Sequence, residues 1–229
     1  MRMRWYFPLL TLLLLSGCGG FRGGIESVPC VGTHAPQENT AHPSWPHEVT
    51  LPDLTLRLSL NNSVQTYQYE VMLYVIPTHL NFWDEFRNRD AEALELTAQV
   101  IALGGPITFD PRQLILTVDG KEVQPKGVWV NNRERERQVI DGFVKARRQA
   151  LPNQLPVTPH AAQWRDAVTD PVALQPLEQS PRFIVTFPLP LLSPEADLAL
   201  DITRTLLEPK RSQIPPIHFK SMPWSEGYS

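Results

Sequence analysis

The chain lacks the motifs that most directly announce a chemistry. Neither G-x-S-x-G nor H-E-x-x-H occurs in its 229 residues, and there is no glycine-rich phosphate loop. Positive charge is not in excess: 21 Lys and Arg face 24 Asp and Glu, a net −3. That balance argues against nucleic acid as a partner and against a broad electrostatic grip on anionic lipid. Lysine is scarce, with 5 against 16 arginines. Cysteine occurs twice, at Cys18 and Cys30. No internal repeat is visible. No apolar run is long enough to cross a bilayer, which takes about 20 residues. The longest, Trp5 to Leu15, is shorter and is interrupted by Pro8.

That run nevertheless has a context. Arg2 and Arg4 precede it, and Leu15-Ser16-Gly17-Cys18 ends it. A basic start, a short apolar core and small residues at the cut site make a secretory signal. The tetrapeptide LSGC resembles the lipobox of bacterial prolipoproteins at all four places. The resemblance covers residues 1–18 only. It implies that Cys18 receives a diacylglyceryl thioether, that the signal is cut before it, and that its new amine is acylated. Two or three chains anchor a protein stably, where one alone is marginal. The competing reading is an ordinary signal peptide cut nearby, with Cys18 an incidental thiol. In Gram-negative lipoproteins an aspartate after the cysteine retains the protein at the inner membrane. Here that position is Gly19, which implies the periplasmic face of the outer membrane. The arginine-rich composition, typical of a GC-rich genome, is what suggests a Gram-negative source.

Removal of residues 1–17 leaves 212 residues, with 19 basic against 24 acidic side chains and a net charge of −5. With Cys18 acylated, Cys30 has no partner in its own chain, so no intramolecular disulfide is expected. Residues 18–49 read as a flexible tether: Gly19, Gly20, Gly23 and Gly24, then Pro29, Pro36, Pro43 and Pro46 among polar residues, without a period. Residues 50–229 read as one domain.

From Leu51 the pattern acquires a period of 2. Leu54, Leu56, Leu58 and Leu60 mark a half-buried strand, Asn61-Asn62-Ser63 a turn, and Tyr67, Tyr69, Val71, Leu73 and Val75 one face of a second strand closed by Pro77. Asn81 and Asp84 resemble a capping pair before a short helix with Phe82, Trp83 and Phe86. Leu94 to Ala102 alternates again. Leu114, Leu116 and Val118, then Asp119-Gly120, predict a hairpin, and Val128 to Val130 a further strand. Residues 131–180 break the pattern. Val139, Ile140, Phe143 and Val144 fall at helical spacing behind Arg133-Glu134-Arg135-Glu136-Arg137, and Thr158-Pro159 opens a second predicted helix with Ala161, Trp164 and Val168 inward. Strands return at Phe183 to Phe187, whose end Pro188 and Pro190 place at an edge, at Leu198 to Ile202, and near Ile214 to Phe219. The count predicts a mainly β fold: an antiparallel β-sandwich of immunoglobulin-like architecture with a partly helical insertion at about 131–180. Leu56, Leu58, Val71, Leu73, Leu116 and Val185 are its expected core. The proline-rich tail, with Ile217, Phe219 and Trp224, either docks as an edge strand or serves as a partner-binding strip.

Candidate chemistry is sparse. His34, His42 and His47 fall in the tether and read as solvated rather than metal-binding. His79, His160 and His218 are scattered. Asp84 and Glu85 fit a helix start, and the 133–137 run fits a solvated helix face. No metal or other cofactor is expected. The reading is a membrane-anchored envelope lipoprotein that binds or assembles without catalysis. Its partners would be the bilayer, through acylated Cys18, and another envelope protein. The alternative is an envelope hydrolase assembled from scattered residues. A deep pocket joining a nucleophile, a histidine and a carboxylate would favour the hydrolase; a flat apolar patch would favour the binding module.

Overall fold

The computed structural model describes residues 19–32, 47–72, 76–87, 92–149, 159, 161–176, 181–207 and 214–228. Its strands, in chain order, are β1 (Gly19–Val31), β2 (His47–Leu51), β3 (Leu54–Leu60), β4 (Val64–Met72), β5 (Ile76–Phe86), β6 (Glu95–Ala102), β7 (Ile107–Phe109) and β8 (Ile115–Val118). There follow β9 (Lys121–Val123), β10 (Gly127–Asn131), the helix α1 (Arg133–Gln149), β11 (Arg165–Ala167), β12 (Val172–Leu174), β13 (Arg182–Thr186), β14 (Leu198–Asp201) and β15 (Ile217–Tyr228). One sheet runs β5-β4-β1-β15-β14-β8-β9, a second runs β11-β10-β13-β6-β3-β2, and β12 pairs with β7 apart from both. Among the described residues, every pairing between these strands is antiparallel, and one isolated bridge, Ala102 to Pro176, is parallel. The fold is mainly β, as expected.

Leucine alternation builds the core. Leu54, Leu56, Leu58 and Leu60 of β3 pair in register with Ala102, Val100, Ala98 and Leu96 of β6, and all are buried. Phe183 and Val185 of β13 continue that layer, and Leu116, Leu198, Leu200, Ile217 and Phe219 join the same core from the seven-stranded sheet. Each such side chain contributes roughly 1.5–3 kcal/mol. The side chains of Val71 and Leu73 lie outside the described residues. The β8–β9 hairpin turns at Asp119 and Gly120, with φ of 48° and 77°. A type I′ turn needs positive φ at both places, which the Asp-Gly pair supplies.

Five expectations are corrected. The tether is one: Gly19–Val31 is a 13-residue strand between β4 and β15, and His47–Leu51 is a strand as well; residues 33–46 lie outside the described set. Glycines that read as flexible are tolerated there because two neighbours supply the backbone hydrogen bonds. The helix at Asn81–Phe86 is instead part of β5, whose ladder with β4 outweighs a weak capping signal. The second predicted helix is a four-residue 3₁₀ turn, Ala161–Trp164, followed directly by β11, and Val168 packs on the core from the loop beyond. The strand at 182–186 is internal, between β10 and β6, and Pro188 and Pro190 fall past its end, where they remove no ladder hydrogen bond. The tail does dock, but between β1 and β14 rather than at an edge.

Two prolines fall where this long sheet divides. β4 pairs with β1 only from Gly19 to Ile25, and β14 pairs with β15 only from Ile217 to Phe219. Pro29 and Pro223 both fall where their strand has one side unpaired, positions proline tolerates. The β1–β15 ladder thus joins two half-sheets. One covers the core; the other, built from β5, β4, the start of β1 and the end of β15, forms a wing.

Candidate functional site

The wing is amphipathic. Side chains alternate along a strand, so Phe21 of β1, Tyr67 and Tyr69 of β4, and Leu80 and Phe82 of β5 share one face. Registry sets them side by side: Phe21 opposite Tyr69, Tyr69 opposite Leu80, Tyr67 opposite Phe82. Phe21 stacks on Tyr69 with ring centroids 5.1 Å apart, and Tyr69 on Tyr67 at 6.4 Å. A methyl on Gly23 would collide with the Tyr67 ring, so that ring lies across the glycine. The face is open to solvent: Phe21 is 42%, Leu80 59% and Phe82 75% exposed. No residue from Val64 to Glu70 is buried. The aromatic layer is therefore a surface, not a second core.

The opposite face is charged and tied together. Arg22 lies opposite Gln68 on β4 and Glu226 on β15, and its Nε donates to the Glu226 carboxylate. Arg87 Nη2 donates to Glu226 Oε1 at 3.3 Å, and the Arg87 guanidinium sits 4.6 Å from the centre of the Trp224 ring. Partial burial pulls Arg87 below its ordinary value, and the Glu226 carboxylate opposes that. Trp224 is 3% exposed and lies opposite Gly24. A side chain on Gly24 would overlap the Val64 carbonyl at the β-bulge where β4 leaves β1.

Between wing and sandwich lies a buried polar junction. Ser27 Oγ donates to the Pro194 carbonyl at 3.3 Å and accepts from Asn62 Nδ2 at 2.9 Å. His47 Nε2 lies 3.2 Å from Glu26 Oε1, an ion-pair distance without hydrogen-bond alignment. A cleft of about 280 Å³ opens nearby, lined by Ile25, Thr66, Asp84, Glu85 and Glu195 among others. Its described lining holds carboxylates and hydroxyls.

The residues singled out from sequence fall as follows. Cys18 lies outside the described residues, one position before β1 begins. His34, His42 and His160 also lie outside them. His47 belongs to β2 and meets Glu26, His79 stands opposite Glu70 on β5, and His218 is exposed on β15. Among the described residues no group of three or more His, Cys, Asp or Glu is placed to hold a metal ion. Asp84 and Glu85 sit on β5, not on a helix. The 133–137 run forms the first turns of α1, fixed by Asn132 Oδ1, which accepts from the Arg135 amide at 3.0 Å, and by an Arg135–Asp166 ion pair of 2.6 Å. No residue of α1 is buried. Cys30 is a buried strand residue rather than a linker thiol, and burial raises its pKa, with Lys220 opposing.

Sequence reasoning missed the aromatic face. The alternation of Tyr67 with Tyr69 and of Leu80 with Phe82 signals it, but the cap-like Asn81 and Asp84 in β5 and the glycines of β1 mask both strands. No protein family, curated protein or solved structure matches the chain. On its own residues, the site offers an exposed apolar platform on one face of a β-sheet.

Proposed function

We propose that this chain is a lipoprotein of the bacterial cell envelope, anchored through acylated Cys18 at the periplasmic face of the outer membrane. There it acts as a binding or assembly module without catalysis. The observation that carries the reading is the LSGC tetrapeptide at the end of a short apolar run behind two arginines. The exposed aromatic platform supports binding over hydrolysis, since apolar surface of this kind marks interaction sites. Beginning the first strand one residue after Cys18 also fits a lipoprotein whose folded part is held against its membrane.

The test is the mature N-terminus. Cys18→Ala should abolish acylation and leave an unprocessed precursor or a mislocalised product, while the native chain should yield an N-terminal peptide beginning at a triacylated or diacylated cysteine. Mass spectrometry showing an unmodified Cys18 inside an intact chain would overturn the reading.

A further inference from the structure

The aromatic face of the wing lies at the point where the anchor would enter the bilayer. Phe21 is three residues after Cys18, and an extended chain covers at most about 10 Å in that distance. A headgroup layer is itself roughly 5–8 Å deep on each side of the hydrocarbon. With β1 extended from Gly19, no slack separates the acylated residue from Phe21. We infer that Phe21, Tyr67, Tyr69, Leu80 and Phe82 form a membrane-seating face that rests in the headgroup layer beside the anchor. This rests on the lipoprotein reading above.

Three features of the face fit a lipid surface. Phenylalanine and leucine supply apolar area, while tyrosine carries an apolar ring with a polar tip, the pairing found at membrane interfaces. The rows that register aligns here (Phe21, Tyr69 and Leu80; Gly23, Tyr67 and Phe82) contain no charged residue. Of the wing's charged residues, Arg22 and Glu226 stand on the opposite face, bonded to each other, and Glu70 shares that face, while Asp84 and Glu85 lie past Phe82, beyond the register shift, at the cleft.

A protein partner is less well served. A stable protein interface buries about 800 Å² per side, and three well-exposed side chains on a two-row patch fall short of that. A bilayer already held by the anchor needs no such area. The second attachment is intramolecular in effect, at a high local lipid concentration. The face also lacks the basic residues that would make seating depend on anionic lipid. Seating would fix the orientation of the sandwich and leave its core-distal loops and α1 free for a partner.

The experiment uses the full-length chain carrying Phe82→Cys, purified from membranes after lipidation and reconstituted in phosphatidylcholine vesicles. Phe82 is 75% exposed, so the substitution leaves the core untouched. A nitroxide is attached at position 82, and in a second sample at Glu70→Cys, exposed on the charged face. Buried Cys30 should not take the label, and unsubstituted chain checks this. Power saturation then compares collision with oxygen, which concentrates in lipid, against a water-soluble nickel chelate. The expected result is oxygen dominant at 82 and nickel dominant at 70, unchanged when phosphatidylglycerol is added. Nickel dominance at both sites, in chain whose N-terminal mass shows acylation, would overturn the seating and leave the anchor standing. Shielding of position 82 from both reagents would mean a protein cover and would also overturn it. An unmodified N-terminus would overturn the anchor, and the seating with it.

Discussion

Replacing Trp224 with alanine tests whether the wing packs around this ring as the geometry indicates. The ring is 3% exposed, lies opposite Gly24 on β1 and is capped by the Arg87 guanidinium at 4.6 Å. Deleting a buried tryptophan to alanine costs about 3–5 kcal/mol, part transfer and part cavity. The cation–π attraction to Arg87, which goes with the ring, accounts for about 0.5–2 kcal/mol. Domains are stable by only about 5–15 kcal/mol in total, so the variant should stand near the margin. Urea unfolding is the assay. With a slope of about 2 kcal/mol/M, the midpoint should fall by roughly 1.5–2.5 M while the slope holds. Trp224→Phe should recover most of the loss, since it refills the site. A cycle with Arg87→Met isolates the pair, and a coupling of about 0.5–2 kcal/mol is expected. Arg87 also donates to Glu226, but methionine keeps its apolar stem, and Arg22 still holds that carboxylate. A Trp224→Ala cost below about 1 kcal/mol with an unchanged slope would refute the reasoning, because a side chain that cheap to remove is not buried.

Three further outcomes follow from particular residues. Gly24→Ala should destabilise the chain and shift the β1–β4 register, since its methyl would meet the Val64 carbonyl; amide hydrogen exchange that leaves β4 as protected as in the native chain would contradict that close approach. Asp110 is buried and grips Arg112 through bonds of 2.8 and 2.9 Å, which holds its carboxyl below the usual carboxylate range. A depressed folded value contributes stability above the unfolded pKa of about 4 that is lost as pH falls through the folded value; Asp110→Asn should cost about 1–2 kcal/mol at pH 7 and flatten the acid limb, and an unaltered stability–pH curve would show the pair to be idle. Cys30, buried and raised in pKa, is a thiol rather than a thiolate at neutral pH; iodoacetamide should modify it only in denaturant, and rapid labelling of the folded chain would contradict its burial.

Local pattern alone determined a good deal of this protein. Leu54 to Leu60, Leu94 to Ala102 and Leu198 to Leu200 alternate because one face of each strand packs on the core, and that periodicity survives without knowledge of partners. The Asp119-Gly120 hairpin and the start of α1 are equally local, since turn and cap chemistry act over a few residues. The lipobox-like tetrapeptide is readable for the same reason. What only the tertiary structure decided is pairing over long separations. Gly19 to Gly24 and Pro29 look like linker because their strand propensity is poor, yet β1 is stabilised from outside, by β15 some two hundred residues later and by β4. The stretch from Asn81 to Phe86 carries a helix-cap pattern that loses to the ladder with β4. The aromatic face is the clearest case. Phe21, Tyr67, Tyr69, Leu80 and Phe82 come from three strands, and they become one surface only when register places them opposite one another. Backbone hydrogen bonding is blind to side-chain identity, so the sequence records which faces are apolar far better than which strands will be neighbours.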